Sequence, residues 1–206
     1  MTTIVAVRHG ETTWNREQRL QGWAPAPLTD RGREQADSLG AALAAAYDID
    51  RVLSSDLHRA EETVEVLCDH VDAPVTFDSA WRERDVGVYQ GLAFDEMWKR
   101  FPEHDLEAAG PEAARRQPES GESLVDVRDR VIEQWEATLA ASEPGETVLV
   151  VTHGGPIRLL SGHLKGLDIV DAVVEQSQGN CAINEFECDH EAEAVRVVRE
   201  NDTSHC

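Results

Sequence analysis

Thr3-Ile4-Val5-Ala6-Val7 runs directly into Arg8-His9-Gly10-Glu11-Thr12, and Thr147-Val148-Leu149-Val150-Val151-Thr152 runs into His153-Gly154-Gly155-Pro156. Each is an unbroken apolar, β-branched run, the pattern of a strand covered on both faces in a parallel sheet. In such sheets the ligand crevice opens at the carboxyl ends of the strands. The two histidines are therefore expected to meet at one site, although they lie at opposite ends of the chain. A third run, Arg51-Val52-Leu53-Ser54-Ser55, leads into Asp56-Leu57-His58-Arg59-Ala60 and carries Arg59 to the same edge. Two imidazoles with Arg8 and Arg59 make a compact cationic pocket, which reads as a phosphate site.

Working outward, strands alternate with helical segments. A turn-rich loop over 8–28 precedes a helix from Thr29, a good N-cap, to about Tyr47, with Ala36, Leu39, Leu43 and Ala46 on one face. The strand at 51–54 leads into a helix over 56–71, then a short extended piece at 74–77 and an irregular segment at 80–91. A short helix at 92–101 stops at Pro102. A Glu-, Ala-, Pro-, Arg- and Gly-rich stretch over 102–121 is expected to be a mobile lid or a surface insertion. Leu124, Val127, Val131, Trp135 and Leu139 mark a helix over 122–141. The strand at 146–152 is followed by a helix from Pro156, strands at 181–187 and 194–199, and a polar tail over 200–206. The alternation predicts one α/β domain over 1–206, a three-layer α/β/α sandwich with a mostly parallel central sheet.

Charge narrows the function. The chain has 40 Asp and Glu against 19 Lys and Arg, a net of −21, and its only lysines are Lys99 and Lys165. A field of that sign repels nucleic acid and anionic membranes, so neither is an expected partner. It also opposes an anionic substrate unless salt screens it, and at about 1 M ionic strength the Debye length falls to about 3 Å. An acidic, lysine-poor surface of this kind suggests a halophile's protein. No apolar stretch is long enough to span a bilayer and the N-terminus has no signal-peptide pattern, so a soluble, cytoplasmic protein is expected. Cys68, Cys181, Cys188 and Cys206 lack the spacing of a disulfide framework or metal site and read as reduced thiols, and a zinc site from Cys188, His190, His205 and Cys206 is not expected.

Phosphoryl transfer accounts for the pocket's composition. The transition state spreads negative charge over three equatorial oxygens, which the planar forks of Arg8 and Arg59 match. The backbone N–H groups of Gly154 and Gly155, at a helix start, add donors. A neutral imidazole such as His9 can attack phosphorus and form a covalent intermediate. The leaving alkoxide then needs a proton from a nearby carboxylic acid. The segment Trp81-Arg82-Glu83-Arg84-Asp85-Val86-Gly87 offers Glu83 and Asp85. Glu83 is the first choice, but the residues alone do not separate the two.

The same residues carry a resemblance. Arg8-His9-Gly10-Glu11-Thr12-x-Trp14-Asn15 resembles the signature of the histidine phosphatase superfamily, in its phosphoglycerate mutase-like branch. Further matches follow in the family's order: Arg19-Leu20-Gln21-Gly22, Leu28-Thr29-x-x-Gly32-x-x-Gln35-Ala36, Ser54-Ser55-Asp56-Leu57-x-Arg59-Ala60-x-x-Thr63, Arg82-Glu83, Gly121-Glu122-Ser123 and Val151-Thr152-His153-Gly154-Gly155. The likeness implies a phosphoglycerate mutase-like fold. It makes His9 the phosphohistidine nucleophile, has Arg8, Arg59 and His153 hold the phosphoryl group, and makes Glu83 the proton donor and later the base for water. Asn15, Gln21 and Gly22 align with positions lining the phosphate pocket, and the family works without a metal or other cofactor.

Within the family, similar mutases carry His-Gly-Asn where this chain has His153-Gly154-Gly155, and a lysine soon after the acid where this chain has none before Lys99. The expected function is hydrolysis of small phosphomonoesters, such as phosphorylated metabolites, through a phosphohistidine. The alternatives are a phosphoglycerate mutase requiring 2,3-bisphosphoglycerate and, further off, a non-catalytic phosphate-binding regulator. His58, His70, His104, His163, His190 and His205 read as ordinary surface or core residues. The tryptophans read as packing, with Trp23 and Trp98 candidates for a substrate entrance. Arg115-Arg116 reads as a solvated turn or a contact for a second substrate anion.

Overall fold

A computed structural model describes residues 1–190, 192 and 194–206. Its centre is β1 (Thr2–Arg8), whose Ile4, Val5 and Val7 are wholly buried. β1 pairs in parallel with β4 (Thr147–Thr152), with Ile4 opposite Val148 and Arg8 opposite Thr152. That register sets the next residues, His9 and His153, side by side where both strands end. β2 (Arg51–Ser54) lies parallel on the other side of β4, with Ser54 opposite Val151, so its following loop opens at the same edge. β3 (Val75–Phe77) extends the sheet in parallel, while β5 (Ile183–Asp189) and β6 (Ala194–Asp202) add two antiparallel strands beyond β1. The order is β3-β2-β4-β1-β5-β6, three parallel pairings and two antiparallel.

Strand alternation sends side chains to two cores. Val5, Val7, Leu149 and Val151 face α2 (Asp30–Ala46) and α3 (His58–Leu67), meeting Leu39, Leu43, Ala60 and Val64. Ile4, Ala6, Val148 and Val150 face α7 (Leu124–Ala140) and α8 (Gly154–Leu164), meeting Val127, Val131, Trp135 and Ile157. Each wholly buried Val, Leu or Ile stabilises the fold by about 1.5–3 kcal/mol. Most of the rigidity therefore lies directly beneath the strand ends that carry the histidines. The three-layer α/β/α sandwich is as the sequence predicts. Thr29 caps α2 through the Gly32 N–H, and Ser123 and Asp126 form a capping box on α7.

Several boundaries differ from expectation. α8 begins at Gly154, with Pro156 inside its first turn, where a missing N–H costs nothing. α3 begins at His58 rather than residue 56. β5 begins at Ile183, because Cys181 takes a left-handed φ of 57° and breaks the strand. The 200–206 tail is shorter than expected, since β6 continues through Asp202 against Ile183.

The segment 102–121 is more regular than its composition suggests. It folds into a 3-10 turn (Pro102–His104), α5 (Leu106–Ala109) and α6 (Pro111–Arg115), and Ala113, Ala114 and His104 are buried. Small alanines let α6 dock closely, and Ala114 joins the core beneath α7. The remaining helices are α1 (Thr13–Arg16), α4 (Phe94–Arg100) and α9 (Ile169–Val174). Among the described residues, no helix is long and apolar enough to cross a membrane.

Candidate active site

His9 sits one residue beyond β1 and is 2% exposed; His153, one residue beyond β4, is fully buried. Their ring centroids are 5.2 Å apart. Between them lies Arg59, the second residue of α3, whose Nε donates to His9 Nε2 at 3.2 Å and to His153 Nδ1 at 3.1 Å. These bonds fix the tautomers. His9 Nδ1 lies 2.7 Å from the Gly10 carbonyl, which only accepts, so Nδ1 carries the proton and Nε2 keeps its lone pair. His153 likewise keeps Nδ1 free of a proton and donates from Nε2 to Ser55 Oγ at 2.8 Å.

Both imidazoles are held well below the ordinary value of 6.5, first by burial and next by the Arg59 charge. His9 is therefore neutral near pH 7, with Nε2 available to a phosphorus atom once a substrate displaces Arg59 Nε.

Half-buried Arg8 and buried Arg59 are anchored through backbone carbonyls. Arg8 Nη1 donates to Gln178 O at 2.6 Å, while its buried Nε has no partner among the described residues. Arg59 Nη2 and Nη1 donate to Gly22 O at 2.9 Å and Ala24 O at 3.3 Å. Burial lowers each guanidinium to about 10, which leaves both fully charged near neutrality. Gly22 holds a φ of +50°, and a Cβ there would lie 2.7 Å from Val86 Cγ2, so no other residue fits without strain.

The two candidate carboxylates differ in placement. Glu83 lines the cavity, with Oε1 accepting from Arg84 N at 2.9 Å and Oε2 from Gly155 N at 3.2 Å. Asp85 does not line the cavity; its carboxylate accepts from Gly87 N at 2.9 Å and folds its own loop. The Gly155 N–H, expected to add an anion-binding donor, points at the Glu83 carboxylate in this structure. Gly154 lies against Arg8, its position 3.6 Å from Arg8 Nε if a Cβ is added.

Asn15 and Gln21 both line the cavity. Their carbonyl oxygens are taken up by Thr12 N at 3.1 Å and Thr12 Oγ1 at 2.9 Å, so their amino groups remain for a ligand. The cavity holds about 240 Å³, and Leu20, Val86, Phe94 and Leu124 form its apolar wall.

Some expectations move. Trp23 donates its Nε1–H to the Glu83 carbonyl at 2.8 Å and stacks under the Arg82 guanidinium at 4.5 Å, so it braces the acid's backbone. Trp98 does not reach the cavity, and Phe94, one turn earlier on α4, is the aromatic at its wall. Arg115 lines a separate cleft with Arg128 and His163, and the Arg116 carbonyl accepts from Arg84 Nη2 at 3.1 Å. Reading by motif missed Arg84 and Arg158, which line the cavity, and Asn180, whose Nδ2 bonds the His9 carbonyl at 3.0 Å. Arg158 was detectable: it falls four residues after Gly154, on the same helix face. Among the described residues, no cluster of three or more His, Cys, Asp or Glu side chains suits a metal ion.

Comparison with known proteins agrees with this geometry. The chain is 39% identical over 160 residues to phosphoglycerate mutase-like protein 4 of Arabidopsis thaliana, spanning 76% of this chain and 68% of that one. It is 36% identical over 187 residues to the glucosyl-3-phosphoglycerate phosphatase of Mycolicibacterium vanbaalenii, spanning 87% and 81%. The solved structure of Bacillus stearothermophilus YhfR superposes with a TM-score of 0.89 at 33% identity, covering 100% of this chain and 99% of that one. The model of the histidine phosphatase superfamily (branch 1) matches residues 4–203, from the first buried strand to the end of the last, and the chain belongs to that family.

Proposed function

We propose that the protein is a metal-independent phosphatase of small phosphomonoesters that works through a phosphohistidine at His9. The observation that carries this reading is the neutral His9, its Nδ1–H fixed on Gly10 O and its Nε2 facing a cavity that the Arg8 and Arg59 guanidiniums also line. Nε2 attacks phosphorus as the ester P–O bond breaks, and the leaving oxygen takes a proton from Glu83 in its acid form. Water then attacks the phosphohistidine, giving its proton to the Glu83 carboxylate as the P–N bond breaks.

Arg8 and Arg59 face the charge on the equatorial oxygens throughout. His153, with Asn15 and Gln21, completes the shell around the phosphoryl group. Before substrate arrives both Glu83 oxygens accept N–H bonds.

A mutase reading draws on the relative named mutase-like. In that case the phosphohistidine returns its phosphoryl group to a second hydroxyl rather than to water. The test is turnover of p-nitrophenyl phosphate with chelator present, with alkaline-quenched mass spectrometry for a phosphoramidate on His9. Chelator-resistant turnover with a His9 adduct, both lost in His9→Ala, supports the proposal. Turnover without the adduct, or isomerisation of phosphoglycerate that depends on 2,3-bisphosphoglycerate and outruns hydrolysis, overturns it.

A further inference from the structure

The segment that carries Glu83 has little regular structure of its own, a 3-10 turn at Ser79–Trp81 and then irregular chain up to Gly87. Side chains hold it instead. Four consecutive carbonyls accept from donors on three other parts of the fold. Ala80 O and Arg82 O accept from Arg130 Nη1 at 2.8 and 3.1 Å, Trp81 O from Thr152 Oγ1 at 2.6 Å, and Glu83 O from Trp23 Nε1 at 2.8 Å.

A peptide unit is planar, so fixing its carbonyl fixes the whole plane. Arg82 O and Glu83 O belong to the two planes that flank the Glu83 Cα. Holding both sets the direction in which the Glu83 side chain leaves the backbone. The Arg84 and Gly155 N–H groups then set its carboxylate.

Arg130 holds the first of these planes. It lies on α7, is not among the residues that line the cavity, and its side chain is 21% exposed. Its Nε and Nη2 pair with Glu122 Oε1 and Oε2 at 3.1 and 3.0 Å. Glu122 in turn accepts from Asp85 N at 3.0 Å, and its own N–H donates to Asp85 O at 2.8 Å. One planar fork thus ties the chain on both sides of Glu83 to a helix packed on the central sheet. Trp23, which holds the second plane, lies in a loop, so the rigid anchor for Glu83 is Arg130.

We infer that Arg130 is a positioning residue for the proposed general acid: without touching the substrate, it fixes the backbone from which Glu83 reaches the leaving oxygen. This rests on the phosphatase reading and adds to it a residue outside the cavity.

The test compares benzyl phosphate, whose alkoxide needs a proton to leave, with p-nitrophenyl phosphate, whose phenolate does not. In Arg130→Met, which keeps an apolar stem, the ratio of kcat/KM for the benzyl ester to that for the nitrophenyl ester falls about tenfold or more, the scale of a displaced proton donor. Inhibition by inorganic phosphate stays near wild type. Lysine is a point donor that cannot span two carbonyls and a carboxylate, so Arg130→Lys shows a smaller fall, and it carries the same comparison if the methionine variant does not fold. The Gly155 amide, whose acceptor is Glu83 Oε2, gives a readout without turnover: its NMR resonance in Arg130→Met moves toward that of Glu83→Ala.

Equal loss for both esters means that Arg130 serves stability alone, and overturns the inference. So does an unchanged ratio, or a Gly155 resonance that does not move. A wild type that turns over neither ester sinks the phosphatase reading alone, and the Gly155 amide then decides for or against Arg130.

Discussion

Replacing Gly155 with alanine displaces the proposed general acid without removing any of its atoms. A Cβ on Gly155 would overlap Glu83 Oε1 and lie 3.2 Å from Cδ. The crowded atoms are the far end of a flexible side chain, so the carboxylate gives way rather than the helix. Restoring ordinary contact requires a shift of about 1 Å, and a misplacement of that size costs on the order of a hundredfold in rate. Proton donation itself contributes about 10²–10⁴-fold, so a loss of about 10- to 100-fold is expected for alkyl phosphates, whose leaving oxygens need the proton.

For p-nitrophenyl phosphate, whose phenolate departs unprotonated, kcat/KM should change little. The assay is kcat/KM across leaving groups of graded basicity, because kcat also includes the later step in which Glu83 acts as base. Stability provides the control. Gly155 is the second residue of α8, and alanine is the better helix former by up to about 1 kcal/mol, so the melting temperature should not fall. Equal loss across all leaving groups, or no loss for any, refutes the role given to Glu83.

Two further outcomes follow from the same physics. His9 and His153 are held below 6.5 in the folded protein, so the unfolded chain takes up protons first as pH falls, and folding free energy declines below about pH 6.5 by up to about 1.4 kcal/mol per unit for each histidine. Urea melts should show a steeper acid loss for wild type than for His9→Gln/His153→Gln, and identical slopes would contradict buried neutral imidazoles. The surplus of 40 acids over 19 bases predicts that fold and activity rise with KCl toward a molar plateau. Full activity and unchanged circular dichroism in dilute buffer would sink the halophile reading.

Much of the site was legible because it lies where two strong sequence patterns end. The apolar runs of β1 and β4 specify strands, and parallel pairing makes adjacent strand ends neighbours, so His9, His153 and Arg59 converge without knowledge of any side-chain contact. Glu83 and Asp85 were not separable, because they lie in an irregular segment with no periodicity to orient them. Only the tertiary partners decide: Gly155 N for Glu83 and Gly87 N for Asp85. The segment 102–121 misled for a related reason. Its composition reads as solvent-facing, yet Ala113 and Ala114 are small enough to dock against α7, and short helices carry too few residues to show a stripe.

The neutral histidines and the charged arginines are two results of one field. Burial and the Arg59 charge make a proton on His9 or His153 unfavourable, and that is what leaves the His9 lone pair free to attack. In the proposed mechanism the same guanidiniums then face a phosphoryl group bearing negative charge, and their field stabilises the intermediate. No change of protonation or conformation is needed at His9 between the two roles; only the sign of the charge beside the arginines changes. The acidic surface does not undo this arrangement, because its field weakens with distance and salt, whereas Arg8 and Arg59 act over contact distances within a buried site. A chain with a net charge of −21 can thus hold the proposed phosphate pocket, because Arg8 and Arg59 are tied to backbone carbonyls rather than to carboxylates. The Gln178, Gly22 and Ala24 carbonyls provide those ties. They fix the guanidiniums in place and leave their positive charge for the ligand.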